Sequence, residues 1–459
     1  MKATTFRWAV AAVAATLALS ACASGTGDTD SGIDYDPDAT LSGTLTTMGF
    51  GAGDEIATTR LDEAKKALGS DVDVKLVEGD LDIQVLLSAI AAGDPPDIIN
   101  ANRDQIGSFA ARGAIMPLDE CIAGEGIDTD QYRDAAINQV TFNGHVYGIP
   151  EFNSIQMTMA NTTLMQQAGV TIDDVNGSDW DAMADANKAM AKSSDGKIQV
   201  IGVDSKMPEF LPLWVKGNGG QLLSDDGRTA MLDDPKVIEA VEAAVGIYDA
   251  QGGFPAVKAY RDSADFFGGG NQFATNVLGS MWMEQWYVNV LNDVSPDATI
   301  TFDTIHAKDG ETIAYGTGSA WAIPKGSKNA AAACRFAKAM TSVDSWVAAA
   351  NARIALRSAD GKPFTGLLTA NEKADEAVRA LVTPSDSAQW QSAIDAMYEA
   401  NDHSFSQAAS PADAEFKTAW QDGVNRVLNG QASAADSMKQ AQQEAQKALD
   451  AAWAKIDKK

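Results

Sequence analysis

The sequence predicts an α/β protein built from more than one domain. The chain has 459 residues, which is too long for one compact core. Strand patterns and helix patterns alternate over residues 43–112, as in the βαβ units that build a parallel sheet. Hydrophobic residues make up 45% of the chain and charged residues 21%, a composition typical of globular proteins rather than disordered ones.

The N-terminal segment has the pattern of an export signal. Lys2 and Arg7 form a positively charged region, and an apolar, alanine-rich run follows as far as Leu19. That run is too short to span a bilayer comfortably as a mature helix. We therefore expect residues 1–21 to be a signal peptide that is removed from the mature protein.

The end of this segment predicts a lipid anchor. Residues 19–22, Leu-Ser-Ala-Cys, resemble the lipobox of bacterial lipoproteins, whose cysteine is lipidated after cleavage. Lipid attachment is therefore expected at Cys22, followed by a flexible polar tether over residues 22–42. The alternative is an ordinary secreted protein in which Cys22 has no special role.

Charge and cysteine content exclude several classes of function. The chain has 35 Lys and Arg against 63 Asp and Glu, a net charge of −28, which argues against nucleic-acid and anionic-lipid partners. Cys121 and Cys334 could form a disulfide, but sequence cannot show that they meet. Two such cysteines with three histidines do not predict a metal site, and no cofactor is expected.

Three strands alternate with three helices in the first part of the body. Strand patterns cover 43–50, 72–77 and 95–100, and helical patterns cover 54–68, 82–92 and 103–112. Ligands of such sheets bind beyond the carboxyl ends of the strands. That rule selects Phe50, at the end of the first strand, and Asp104, after the third, as candidate ligand contacts.

Helical patterns dominate the later part of the chain. Residues 179–192, 234–251 and 386–400 have apolar residues at helical spacing. The C-terminal segment 432–457 is amphipathic, and its polar face carries acids as well as lysines. We therefore expect it to dock on a protein core rather than on a membrane.

The stretch 277–286 combines aromatic and polar side chains. It predicts a buried strand that runs into a helix and ends with Trp282, Glu284, Gln285 and Trp286. An aromatic ring can cover the C–H face of a sugar, and carboxylate and amide groups can bind its hydroxyls. The alternative is a core strand-to-helix junction in which the tryptophans only pack.

Further candidate ligand residues come from other segments. Trp214 offers a second aromatic wall, although a core position is an alternative, and Asn153 offers an amide to sugar hydroxyls. Gly316 and Gly318 lack side chains and would let backbone groups approach a ligand. Arg353 could also reach the ligand, and a solvated surface role is the alternative.

Several segments together resemble the sugar-binding (family 1) extracellular solute-binding proteins of ABC transporters. Each motif is weak alone, but their order along the chain, from about residue 43 to 450, matches that family. A departure is that Gly-Ser-Met stands where the family more often has Ala-Ala-Met, and no signature of a particular sugar is present. The matching segments are 92–98, 117–119, 144–150, 161–170, 273–286, 316–328 and 329–341.

The resemblance implies a two-lobe, periplasmic-binding-protein-like fold of type II topology with the ligand cleft between the lobes. Lobe one is expected at 43–150 and 308–358, and lobe two at 151–307 and 359–459. Three crossovers would then connect the lobes, and hinge closure around the ligand is the known behaviour of such proteins.

The same resemblance implies the function. The protein is expected to be a monomeric receptor, anchored by lipid to the outer face of the cell membrane. It would capture a sugar or oligosaccharide and deliver it to the membrane permease of an ABC importer. A secreted carbohydrate-active enzyme is the alternative, and a surface adhesin is a third possibility. No G-x-S-x-G, HExxH, P-loop or Cys-His motif supports an enzyme.

Overall fold

The computed structural model describes residues 35–385 and 387–458. The predicted signal peptide, the lipid-attachment residue Cys22 and most of the predicted tether lie outside these residues. The strands are β1 Gly43–Met48, β2 Val72–Val77, β3 Ile98–Asn102, β4 Thr141–Phe142, β5 His145–Val146, β6 Ile149–Ser154, β7 Gln156–Asn161, β8 Lys192–Ser194, β9 Lys197–Asp204, β10 Leu278–Glu284, β11 Ile300–Asp303, β12 Ile305–His306, β13 Thr312–Tyr315, β14 Thr317–Ala322 and β15 Ser404–Phe405.

Helices separate most of these strands. They are α1 Glu55–Leu68, α2 Ile83–Ala92, α3 Ile106–Ala111, α4 Asp119–Glu125, α5 Asp134–Val140, α6 Thr162–Ala168, α7 Trp180–Met190, α8 Leu211–Gly217, α9 Pro235–Asp249, α10 Phe254–Asp262, α11 Trp286–Val294, α12 Ala330–Thr341, α13 Val343–Ala359, α14 Glu372–Arg379, α15 Ala388–Asp402, α16 Asp413–Leu428 and α17 Ala434–Ile456. A 3₁₀ turn, Arg103–Gln105, follows β3 directly.

Two five-stranded sheets form the frame of the fold. The first has the order β2-β1-β3-β14-β6, and the second has the order β11-β7-β10-β9-β8. In the first sheet β1 is parallel to β2 and β3, while β14 runs antiparallel between β3 and β6. In the second, β10 is parallel to β9 and antiparallel to β7. This two-sheet α/β arrangement confirms the predicted fold class.

The chain passes from the first sheet to the second between β6 and β7, where only Ile155 separates them. It returns to the first sheet at β14, after β12 and β13, which form a small sheet with the later strand β15. The lobe boundaries drawn from the sequence stay predictions.

Local sequence patterns place the first elements well. The predicted strands and helices of residues 43–112 all form, and side chains cap the starts of α1 and α2. Asp54 accepts the N–H of Ala57 at 2.8 Å, and Asp82 accepts the N–H groups of Gln84 and Val85. An N-cap carboxylate satisfies donors that have no partner within the helix, so these acids fix where α1 and α2 begin.

The C-terminal helix α17 docks on the protein, as predicted. Its buried face includes Ala441, Ala445 and Leu449, and the Trp453 ring stacks on Phe142 with centroids 5.5 Å apart. Within residues 35–385 and 387–458, no helix has the length and apolar character needed to span a membrane.

Cys121 and Cys334 form a disulfide, which the sequence alone left open. It joins α4 to α12 across a sequence separation of 213 residues, with Cα atoms 5.8 Å apart. Both cysteines are fully buried in the core beside the first sheet. The bond therefore ties an early segment of the chain to a late one on the same side of the protein.

Candidate ligand-binding site

A cavity of about 380 Å³ lies at the carboxyl edge of both large sheets. Asn102 ends β3, Ser154 ends β6 and Glu284 ends β10, and all three line the cavity. Thr317 and Gly318 begin β14, which is antiparallel to β3, so they lie at the same edge. Open α/β sheets bind ligands in this position, which makes the cavity the candidate site.

A second wall of the cavity comes from α16 and the segment before it. Phe416 and Trp420 lie one helical turn apart, with polar neighbours beside them. Sequence reasoning missed this wall, although the spacing of two aromatic residues among polar ones is the signal it used at residues 282–286. The wall consists of Gln407, Ala408, Ala409, Asp413, Phe416, Lys417, Trp420 and Gln421, and Glu209 and Phe210 approach from the loop after β9.

Carboxylates outnumber cations in the lining. Lys417 donates to Asp104 at 2.7 Å, so this predicted site residue lies in the cavity with its charge paired. Burial raises the pKa of Glu284, an effect that Lys206 opposes and Glu209 reinforces. Burial also raises the pKa of Asp413 to about 8, and the charge of Asp104 adds to that rise.

Arg103 forms the floor of the cavity and is 1% exposed. Its Nε donates to Gln139 at 2.9 Å, and Nη1 donates to the Phe152 carbonyl at 2.8 Å. Its Nη2 donates to Asn153 Oδ1 and to the Thr317 carbonyl, both at 2.6 Å. Burial lowers the pKa of the guanidinium to about 9. One side chain thus fixes β3, β6 and β14 relative to one another beneath the site.

Two predicted amide contacts serve this framework and do not line the cavity. Asn153 is 1% exposed, accepts from Arg103 and donates to Asn401 at 2.5 Å. Gln285 is 3% exposed; it accepts the Ile155 N–H at 2.9 Å and donates to the Asn153 carbonyl at 3.2 Å. Both amides therefore form hydrogen bonds with backbone and side-chain groups at the point where the chain crosses between the sheets.

Three predicted aromatic contacts are buried in the core and are not part of the cavity lining. Trp214 and Trp282 are 1% and 4% exposed, and their rings pack with centroids 4.7 Å apart beside Trp180. Phe50 is also buried and packs against Trp321 at 5.2 Å. The packing alternative stated for Trp214 and Trp282 agrees with this burial.

The remaining predicted residues differ in their relation to the cavity. Trp286 is partly buried and is not part of the lining, but its Nε1 donates at 3.2 Å to the carboxylate of Glu284, which is. Gly318 lines the cavity and has a φ of +146°, and a β-carbon there would lie 2.0 Å from the Phe152 carbonyl oxygen. Gly316 bonds to the backbone of Phe405 outside the lining.

Arg353 also lies outside the lining. It pairs with Asp54 at 2.9 Å and with Glu55, the two acids at the start of α1. Its charge is therefore already matched by the first turn of that helix.

The fold and the cavity define a class: a two-lobe α/β protein with a candidate ligand site at the strand ends of both sheets. The sequence profile described as bacterial extracellular solute-binding protein matches residues 54–345 of this chain. The match covers more than half of the chain. The protein therefore belongs to the family of bacterial extracellular solute-binding proteins.

Among curated relatives, the chain is similar to a maltooligosaccharide ABC transporter solute-binding lipoprotein of Streptococcus pneumoniae R6. The two are 25% identical over 303 residues, which is 62% of this chain and 65% of the relative. An arabinooligosaccharide-binding protein of Bacillus subtilis is 22% identical over 259 residues, 56% of this chain and 58% of that protein. The matches thus span less than two thirds of these relatives.

Solved structures share the fold over most of the chain. The protein CpMnBP1 with mannobiose bound superposes with a TM-score of 0.69 at 20% identity, over 88% of this chain and 99% of that one. The GacH receptor of Streptomyces glaucescens, solved unliganded and with acarbose, gives a TM-score of 0.67 at 18% identity, over 89% and 99%. At such identities the likeness establishes the architecture.

Proposed function

We propose that this protein is a saccharide-binding receptor of a bacterial ABC importer. One observation carries the proposal: at the strand ends, the cavity combines the aromatic rings of Phe210, Tyr315, Phe416 and Trp420 with carboxylate and amide side chains. Aromatic faces cover the C–H side of a sugar, and carboxylates and amides bind hydroxyls. The maltooligosaccharide and arabinooligosaccharide names of the relatives support the same ligand class.

The wider setting follows from this role. The receptor acts outside the cytoplasm, held at the outer face of the membrane by lipid at Cys22, and works as a monomer. The lobes close on the saccharide at their hinge, and the closed receptor delivers it to the permease subunits. The protein binds its ligand without chemical change, whereas a secreted carbohydrate-active enzyme would alter it.

A melting-temperature screen tests the proposal. Maltotriose, arabinotriose, mannobiose and their monosaccharides are added separately to the purified protein. A saccharide at 100 times its Kd stabilises the folded state by about 2.7 kcal/mol, which raises Tm measurably. We expect at least one oligosaccharide to do so, and chromatography should recover it unchanged. Absence of any shift across the panel would contradict the receptor, and turnover of the sugar would favour the enzyme.

Saccharide affinity is expected to fall as the pH drops through the raised pKa of Glu284. The ionised carboxylate accepts hydroxyl hydrogen bonds, and protonation removes that capacity, so affinity is high above this pKa and is lost below it. Because burial raises the value, the loss begins above the ordinary glutamate pKa of 4.5. Titration calorimetry from pH 8 down to pH 4 measures the profile.

Glu284→Gln is the control for this profile. The glutamine keeps an oxygen acceptor for Trp286 but does not titrate. The fall of affinity at the acidic end of the pH profile, its acidic limb, should therefore disappear. Any dependence near pH 8 from Asp413 should remain, because burial sets its pKa to about 8. An unchanged acidic limb in the variant would show that another group is responsible.

A further inference from the structure

The hairpin of α16 and α17 is fastened to the part of the chain predicted as lobe two. The two helices pack along each other. On α17, Gln442 accepts the N–H of Leu232 at 2.7 Å, and Gln446 accepts the N–H of Ala230 at 2.8 Å. All of these residues lie within the ranges predicted for lobe two, so the hairpin is expected to move with that lobe.

The first two turns of α16 also reach the part of the chain predicted as lobe one. Lys417 donates to Asp104 at 2.7 Å, next to the end of β3, and these side chains are 49% and 31% exposed. Arg112, which follows α3, donates to Glu415 at 3.0 Å, and these side chains are 45% and 50% exposed. Two ion pairs that water can reach therefore join the predicted lobes.

Two closely packed contacts join the predicted lobes as well. A β-carbon at Gly107 in α3 would lie 2.5 Å from Asp413 Oδ2, so a larger residue would hold α16 away from α3. Trp453 of α17 stacks on Phe142 of β4 with centroids 5.5 Å apart, and its Nε1 donates to the Gly227 carbonyl at 2.9 Å. The hairpin thus meets predicted lobe one at both of its helices.

We propose that the α16–α17 hairpin is a closure clamp that holds the lobes together and positions the α16 wall of the cavity. This inference rests on the proposed function and adds residues that set affinity from outside the ligand site. Arg112 and Glu415 are not part of the lining, so they act through the position of α16. The clamp consists of the pairs Arg112–Glu415 and Asp104–Lys417, the contact of Gly107 with Asp413, and the stack of Trp453 on Phe142.

The clamp predicts that affinity for an uncharged saccharide depends on ionic strength. A ligand that closes the lobes binds with an apparent affinity that includes the free-energy difference between the open and closed states. Salt screens ion pairs between exposed side chains, so it should weaken the closed state and with it the affinity. Direct contacts to a neutral sugar give no comparable reason for a salt effect.

Titration calorimetry at about 20 mM and about 500 mM sodium chloride tests the clamp. Maltotriose, arabinotriose and mannobiose are used separately as probes. We expect the affinity of wild type for the saccharide it binds to fall by roughly 2- to 5-fold at the higher salt concentration. Arg112→Gln should weaken binding by a similar factor at low salt and should respond less to added salt, because one of the two pairs is already absent.

A matched variant controls for the loss of a positive charge. Lys328 pairs with Asp94 at 2.8 Å, with side chains 68% and 83% exposed, and both residues lie within predicted lobe one. Lys328→Gln should therefore leave the affinity and its salt dependence unchanged. If Arg112→Gln and Lys328→Gln behave alike, or if wild-type affinity does not change with salt, the clamp is overturned while the receptor function stands.

Charge reversal adds a readout that general loss of structure would not produce. Arg112→Glu places two acids opposite each other and should weaken saccharide binding at low salt. Adding Glu415→Arg to that variant restores an ion pair of opposite orientation and should recover most of the affinity. Lack of recovery would count against the clamp, and failure of every saccharide to bind the wild type would overturn the proposed function and the clamp with it.

Discussion

Replacing Arg103 with leucine is expected to lower the free energy of unfolding by about 4 kcal/mol or more. The guanidinium is 1% exposed and donates to two side-chain amides and two backbone carbonyls. Leucine would fill part of the space but leave these acceptors buried without partners, at about 1–3 kcal/mol each. Because the acceptors belong to β6, β14 and α5, the loss would loosen the floor of the cavity as well as the fold.

Denaturation in guanidinium chloride measures this loss of stability. Two further variants serve as comparisons. Arg103→Lys keeps a charge but has no planar fork of donors, so an intermediate loss is expected. Arg112→Leu breaks an exposed pair with Glu415, whose side chains are 45% and 50% exposed, and should cost under about 1 kcal/mol. If Arg103→Leu were as stable as Arg112→Leu, the buried network would not support the fold as described.

The order of strands and helices could be predicted because it depends on local patterns. Strand patterns placed β1 and β2, and helical patterns over 54–68 and 82–92 placed α1 and α2. The rule that ligands bind at strand ends selected Asp104, which does line the cavity. Phe50, selected by the same rule, is buried and lies outside the lining, because an aromatic ring at a strand end can equally turn toward the core.

Which of the other side chains reach the cavity depends on tertiary packing, which local sequence patterns do not reveal. Trp282 and Glu284 both lie on β10 and differ by one strand repeat, about 7 Å along the strand. That step separates a core side chain from one in the cavity, and composition cannot reveal it. The α16 wall is more than 100 residues beyond β10 in sequence, so no local pattern joins Trp420 to Glu284.

Replacing both Cys121 and Cys334 with alanine is expected to lower the free energy of unfolding by about 2–5 kcal/mol. The disulfide joins residues separated by 213 positions, and a cross-link over such a long loop restricts the unfolded chain strongly. Alanine suits both positions because the sulfur atoms are buried among apolar side chains. Guanidinium chloride denaturation of the variant and of wild type measures the difference.

Treatment with a reductant distinguishes the stabilisation that comes from the cross-link from that which comes from the packing of the two cysteine side chains. Dithiothreitol should shift the wild-type transition toward that of the double variant and leave the variant unchanged. The residual difference between reduced wild type and variant then reports the side-chain volume lost at Cys121 and Cys334. A wild-type transition that reductant does not move under unfolding conditions would contradict a stabilising bond between α4 and α12. Such a bond also suits a protein exported to an oxidising compartment, the setting predicted from its N-terminal segment.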